Sequence, residues 1–146
     1  MAAKTIYLAF AGYWRELNII SIPKEAGIYV VYECLYNSIS NTVDLFKVIY
    51  IGEAINVNER IVTHEKWPEW RRHRSLLKEI CFSFSPITRP DRQRAEAALI
   101  YRHKPLANDE YKYSFPFDET TMALTGDAAL LDSYFIIQKK RSLLGG

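Results

Sequence analysis

Residues 27–52 read GIYVVYECLYNSISNTVDLFKVIYIG. Gly27-Ile28-Tyr29 opens one apolar run and Tyr50-Ile51-Gly52 closes another. Ile28 to Leu35 and Leu45 to Ile51 are rich in β-branched and aromatic residues, so each reads as a strand. The cluster Asn37-Ser38-Ile39-Ser40-Asn41 between them is turn chemistry, which predicts an antiparallel hairpin with a long connection. Alternate residues of a strand share a face, so the Tyr29 and Tyr50 hydroxyls can reach one end of one face. Gly27 and Gly52 flank the strands, where backbone must turn or approach closely.

Working outward, Lys4 to Gly12 alternates loosely and reads as a strand or an irregular segment, and Tyr13 to Asn18 as a helical turn. Pro23 to Gly27 is a turn. Asn56 to Glu65 starts with a capping Asn and carries apolar residues at helical spacing. Pro68 breaks the basic, aromatic stretch from Trp67 to Ile80 near its start, with a short helix expected over 75–80. Ile80 to Ile87 alternates as a half-buried strand. Asp91 to His103 is a helix ended by Pro105. Thr120 to Leu124 and Ser133 to Gln138 read as strands. Strands mixed with helices, led by a hairpin, argue an α+β fold with a small sheet and a C-terminal β extension.

The 146 residues set a single domain by length, with a core over residues 26–108 and an extension over 109–146. The apolar fraction of 49% and charged fraction of 25% are those of a soluble globule rather than a disordered chain. No run approaches the roughly 18 apolar residues a membrane helix needs. The apolar stretch near the start is too short for a secretory leader, and Arg15 and Glu16 follow at once. Cys34 and Cys81 lie apart in apolar runs and read as buried, reduced thiols of a cytoplasmic protein. The three histidines and two cysteines are too scattered for a Cys/His metal site.

Net charge is only +2, yet residues 60–104 hold eleven Lys/Arg against five Asp/Glu. Both flanks are mildly acidic. A basic middle suits either a polyanion or a solvated helix face. Arg71, Arg72, Arg74 and Lys78 follow the Asn56–Glu65 helix and are positioned in sequence to neutralise phosphates. Trp67 and Trp70 read more readily as packing residues than as base-stacking ones.

Arg60 and His64 are four apart, hence on one helix face. Arginine can grip a phosphate bidentately, and histidine can accept a proton near neutral pH. Glu96 sits among Ala95, Ala97, Ala98, Leu99 and Ile100. A carboxylate there is partly buried and needs a partner: either a divalent cation, or one of Arg92, Arg60 and Arg102. Asn108, past Pro105, can tie a loop or touch a phosphate. Pro90-Asp91 with Glu96 hints at a PD-(D/E)xK pattern, but Ala98 stands where that pattern needs Lys. Ser75-Leu76-Leu77-Lys78 matches SxxK by chance.

Taken in order, Tyr29, Tyr50, Arg60, His64, Glu96 and Asn108 resemble the site residues of the GIY-YIG nuclease family. The segments YIGEAINVNERIVTH (50–64) and EAALIYRHKPLAN (96–108) carry the resemblance, which is to the excision-repair and restriction-type branches. It spans residues 26–108. The twenty residues between Tyr29 and Tyr50 depart from compact members, which have about half as many. The resemblance implies a small three-stranded antiparallel sheet flanked by helices. It also implies hydrolysis of DNA phosphodiesters with one Mg²⁺ or Mn²⁺ on Glu96. In that scheme Tyr50 acts on the attacking water, Tyr29 hydrogen-bonds, Arg60 stabilises charge and His64 takes the proton onward. One such site cuts one strand, so a double-strand cut would need a homodimer or two visits. The alternatives are a non-catalytic DNA-binding module and a partner-binding domain on the same fold.

Overall fold

The hairpin read from residues 27–52 forms at one end of a larger sheet. The computed structural model describes residues 2–87 and 89–141. Its strands are β1 (Lys4–Arg15), β2 (Gly27–Asn37), β3 (Thr42–Ala54), β4 (Glu79–Pro86), β5 (Thr120–Gly126) and β6 (Tyr134–Ile137). They make one six-stranded sheet in the order β3-β2-β4-β1-β5-β6. All neighbours are antiparallel except β1 and β5, which run parallel from Lys4↔Thr120 to Phe10↔Gly126.

This corrects the expected fold. The small three-stranded sheet flanked by helices is replaced by a six-stranded, mixed, curled half-barrel. The residues read as a C-terminal β extension are not an appendage, because β5 docks directly on β1 and β6 on β5. Tyr13 to Arg15 continue β1 instead of turning into a helix, and a 3₁₀ turn follows over Glu16–Ser21. The short helix expected over 75–80 is also displaced: the helix lies earlier, and Glu79 already begins β4.

Three short helices pack on the sheet: α1 (Val57–Val62), α2 (Trp67–Arg72) and α3 (Arg92–His103). The Asn56 side chain accepts the Glu59 N–H and so caps α1, worth about 1 kcal/mol. Pro68 falls in the first turn of α2, where its missing N–H costs nothing. The sheet then separates two cores. Ile28, Val30, Tyr32 and Cys34 of β2 face α3, with Ala95, Leu99, Met122 and Phe135. Tyr29 and Val31 face the other way, against Val57, Ile61, Trp70 and Phe82. Burial on both sides explains why β2 is inaccessible from Gly27 to Cys34 and reads as a continuous apolar run rather than an alternation.

Candidate active site

The site lies where β2 starts and β3 ends. Tyr29 pairs with Gly52 and Val31 with Tyr50, so the two tyrosines are diagonal neighbours on one face. Their ring centroids are 6.2 Å apart. The glycine between them is what permits this: a Cβ at Gly52 would lie 2.3 Å from Tyr29 Cζ and Oη. Gly27 is held as tightly, since a Cβ there would meet the Ser85 carbonyl at 2.3 Å. The register shifts between Val31↔Tyr50 and Tyr32↔Val48, leaving Ile49 as a bulge. Bulges re-aim the side chains beside them, here Tyr50.

Helix α1 presents Arg60, and His64 follows just past its end. The Arg60 guanidinium lies near enough to Tyr29 to act on its hydroxyl electrostatically. It is also held bidentately by Glu65, Nη1 to Oε2 at 2.8 Å and Nη2 to Oε1 at 3.1 Å. His64 is buried, with its ring centroid 5.4 Å from that of Tyr50 and 4.5 Å from that of Trp70. Its Nδ1 accepts the Lys66 N–H at 3.0 Å, and its Nε2 is buried without a partner. The neutral tautomer assigned by this bonding therefore carries its proton on Nε2. Burial, and then the Arg60 charge, lower its pKa to about 4. The expected proton acceptor is thus, at neutral pH, a neutral ring with an N–H to donate.

The tyrosines also depart from expectation. Burial raises the Tyr29 hydroxyl well above the ordinary range, outweighing the nearby Arg60. Burial and then Glu96 raise Tyr50, against Lys66 and Arg60. Desolvation of two rings packed in an aromatic cluster outweighs the attraction of the nearby Arg60 charge for phenolate. Both hydroxyls rest protonated, suited to orienting a water or a phosphate oxygen.

Glu96 projects from α3, half-buried, into a cleft of about 230 Å³ with Tyr50, Lys66, Asn108, Asp109, Glu110 and Tyr111. Each arginine that could have neutralised it is engaged elsewhere: Arg92 with Glu53, Arg60 with Glu65, and Arg102 with Asp132. Burial, followed by Glu53 and Glu110, raises its pKa to about 8. No group of three or more His, Cys, Asp or Glu is placed to cage a metal among the described residues. One carboxylate without a cationic partner, in a polar cleft, could hold at most a single hard ion that keeps most of its waters.

Asn108 has a different task. Its Oδ1 accepts the Ile51 N–H and its Nδ2 donates to the Ile51 carbonyl, both at 2.9 Å, while Ala107 N–H bonds to the Ile49 carbonyl. The segment after α3 thereby covers the outer edge of β3 beside Tyr50, as an added strand would. Asn108 holds the cleft's wall in place rather than facing its contents.

Of the basic residues singled out in sequence, Arg72 is exposed. Arg71 lies 4.8 Å from the Trp67 ring centroid and 3.4 Å from a Glu16 oxygen. Arg74 bonds to the Lys78 carbonyl, and the Lys78 ammonium rests 3.8 Å from the Phe46 ring centroid. Lys78 thus sits toward the hairpin end, about 13 Å along β3 from Tyr50 at the usual strand rise. Trp70 is fully buried, and Trp67 donates its ring N–H to the Ile61 carbonyl. Sequence reading missed Lys66 and Glu65. Lys66 bonds to the Ala107 carbonyl at 3.2 Å and so ties the cleft's two walls. The i,i+5 spacing of Arg60 and Glu65, across the end of a helix, is not a pattern that signals contact.

No family model, no curated protein and no solved structure matches this chain. Among the described residues no helix is long and apolar enough to cross a membrane.

Proposed function

We propose that this protein is a metal-dependent endonuclease that hydrolyses DNA phosphodiesters by a GIY-YIG-type mechanism. The observation that carries the reading is the convergence of Tyr29, Tyr50, Arg60 and His64 with Glu96, a half-buried carboxylate to which no Lys or Arg bonds among the described residues. A Mg²⁺ or Mn²⁺ ion held by Glu96 would supply Lewis-acid polarisation of the scissile phosphate. The Tyr50 hydroxyl, at the cleft, orients the attacking water, and the Tyr29 hydroxyl, beneath Arg60, hydrogen-bonds a phosphate oxygen. Arg60 exchanges Glu65 for that phosphate; an exposed ion pair is worth only about 0–1 kcal/mol, so the exchange is cheap. His64, packed against the Tyr50 and Trp70 rings, holds Tyr50 in place beside the cleft. The two buried thiols suit a reducing, cytoplasmic setting.

The test is cutting of supercoiled plasmid in Mg²⁺ or Mn²⁺. The wild type cuts, Glu96→Ala does not, and Tyr50→Phe is strongly slowed. Binding without cutting in either metal favours a non-catalytic DNA-binding module. Neither binding nor cutting favours a partner-binding domain.

A further inference from the structure

Beside the catalytic cluster runs a second concavity of about 580 Å³, lined by Glu53, Asn56, Glu59, Arg60, Arg89 and Arg92 among others. Its charge is opposite in sign to that of the Glu96 cleft. That cleft sets Lys66 against Glu96, Asp109 and Glu110, whereas this groove sets three arginines against Glu53 and Glu59. Glu53 is taken up by Arg92 and Arg60 by Glu65, which leaves Arg89 and Glu59 as the lining charges outside those pairs. Arg89 is exposed on the turn before α3 and has no acidic partner among the described residues. The groove is physically continuous with the site at two points. Arg60 lines it and acts electrostatically on the Tyr29 hydroxyl. Glu53 lines it and lies near enough to Glu96 to act on its carboxyl.

We infer that this groove, and not the face of α2, carries the sugar–phosphate strand adjoining the scissile bond, with Arg89 meeting a backbone phosphate. The inference rests on the nuclease reading for the position of the scissile bond, but its binding chemistry stands apart from hydrolysis. A phosphate seated on Arg60 lies at the groove's inner end. Guanidinium groups farther along suit the next phosphates, because they are planar donors that bind anionic oxygens in pairs. Glu53 holds Arg92 in place, and Arg89 is left to move to its anion.

The experiment measures fluorescence anisotropy of labelled DNA and RNA oligonucleotides of one sequence with the full chain. It is run in EDTA, across salt from about 50 to 200 mM. Arg89→Ala is expected to weaken binding uniformly across sequences and to reduce the log–log salt slope by about 1. Arg89→Glu should weaken it further, with the thermal midpoint of both variants unchanged because the side chain is exposed and unpaired. Arg72→Ala, on α2, should leave the slope as it is. The tighter of the two oligonucleotides identifies the natural backbone. Wild-type slopes in both Arg89 variants, or no oligonucleotide binding by the wild type, overturn the inference. If Arg89→Glu abolishes binding while the wild type cuts nothing, the groove stands and hydrolysis falls. If the wild type cuts and Arg89→Glu cuts with unchanged KM, the groove falls and hydrolysis stands.

Discussion

Substituting Gly52 by alanine tests the packing on which the site is built. The added methyl would lie 2.3 Å from Tyr29 Cζ and Oη, so the ring must move. Tyr29 is 1% exposed and is wedged among Tyr50, His64 and the second core, which leaves it no free path. Overpacking of this kind costs about 1–3 kcal/mol, and replacing a strand glycine returns about 0.5–1 kcal/mol. The net loss is about 1–2 kcal/mol, or about 3–8 °C in Tm for a chain of this length. Urea titration read by circular dichroism measures it. The decisive comparison is a double-mutant cycle with Tyr29→Leu. Leucine ends short of the space that Cζ and Oη occupy, so Gly52→Ala in that background should be neutral or stabilising, a coupling of about 1 kcal/mol or more. Equal costs of Gly52→Ala in both backgrounds would refute the idea that this glycine exists to admit the tyrosine.

Three further outcomes follow from the same geometry. His64 holds a folded pKa of about 4 against about 6.5 unfolded, so the stability tied to its neutral form is complete above pH 6.5 and drains away as pH falls toward 4. The loss reaches up to about 3 kcal/mol, and the difference in unfolding midpoint between wild type and His64→Gln should narrow steadily over that window; a constant difference would contradict the assignment. Asn108→Ala leaves the Ile51 N–H and carbonyl without their partners, at a cost of about 2–3 kcal/mol, visible as faster hydrogen exchange at the Ile51 amide; Asn108→Asp should fare no better, because it turns a carboxylate oxygen toward the Ile51 carbonyl. Cys34 and Cys81 are both fully buried, and the Cys81 thiol is pushed upward, first by Cys34 and then by desolvation. A thiol reagent should therefore react with them only on unfolding, and rapid labelling of the native protein would count against the fold.

The β2–β3 hairpin was legible because its evidence is local: two β-branched runs, a turn cluster between them, and a glycine at each outer end. The shared face of Tyr29 and Tyr50 depends as well on the strand register, which shifts twice between Val31 and Cys34. The rest of the sheet was not legible, because β1 joins β5 in parallel. Such pairing needs no turn between the two strands, so no stretch of sequence announces it. The helix at Trp67 was hidden by reading Pro68 as a breaker, when a proline in the first turn begins a helix as readily as it ends one. Within the candidate site, the sequence named residues that the fold brings together, but not their protonation states. The pKa directions of Tyr29, Tyr50 and His64 depend on how much water the two packed faces exclude. Asn108 was read with its alternatives open, and the structure gives it the loop-tying role.

The position of β1 has a consequence for biosynthesis. It is made among the first strands, yet its outer neighbour β5 is among the last. Until that neighbour leaves the ribosome, the run Ile6, Leu8 and Phe10 offers an unsatisfied row of amides along an apolar, β-prone ribbon. Such a ribbon invites intermolecular pairing. Nascent chains stalled before Thr120 should therefore be the species that chaperones retain and that precipitates first when synthesis outpaces them.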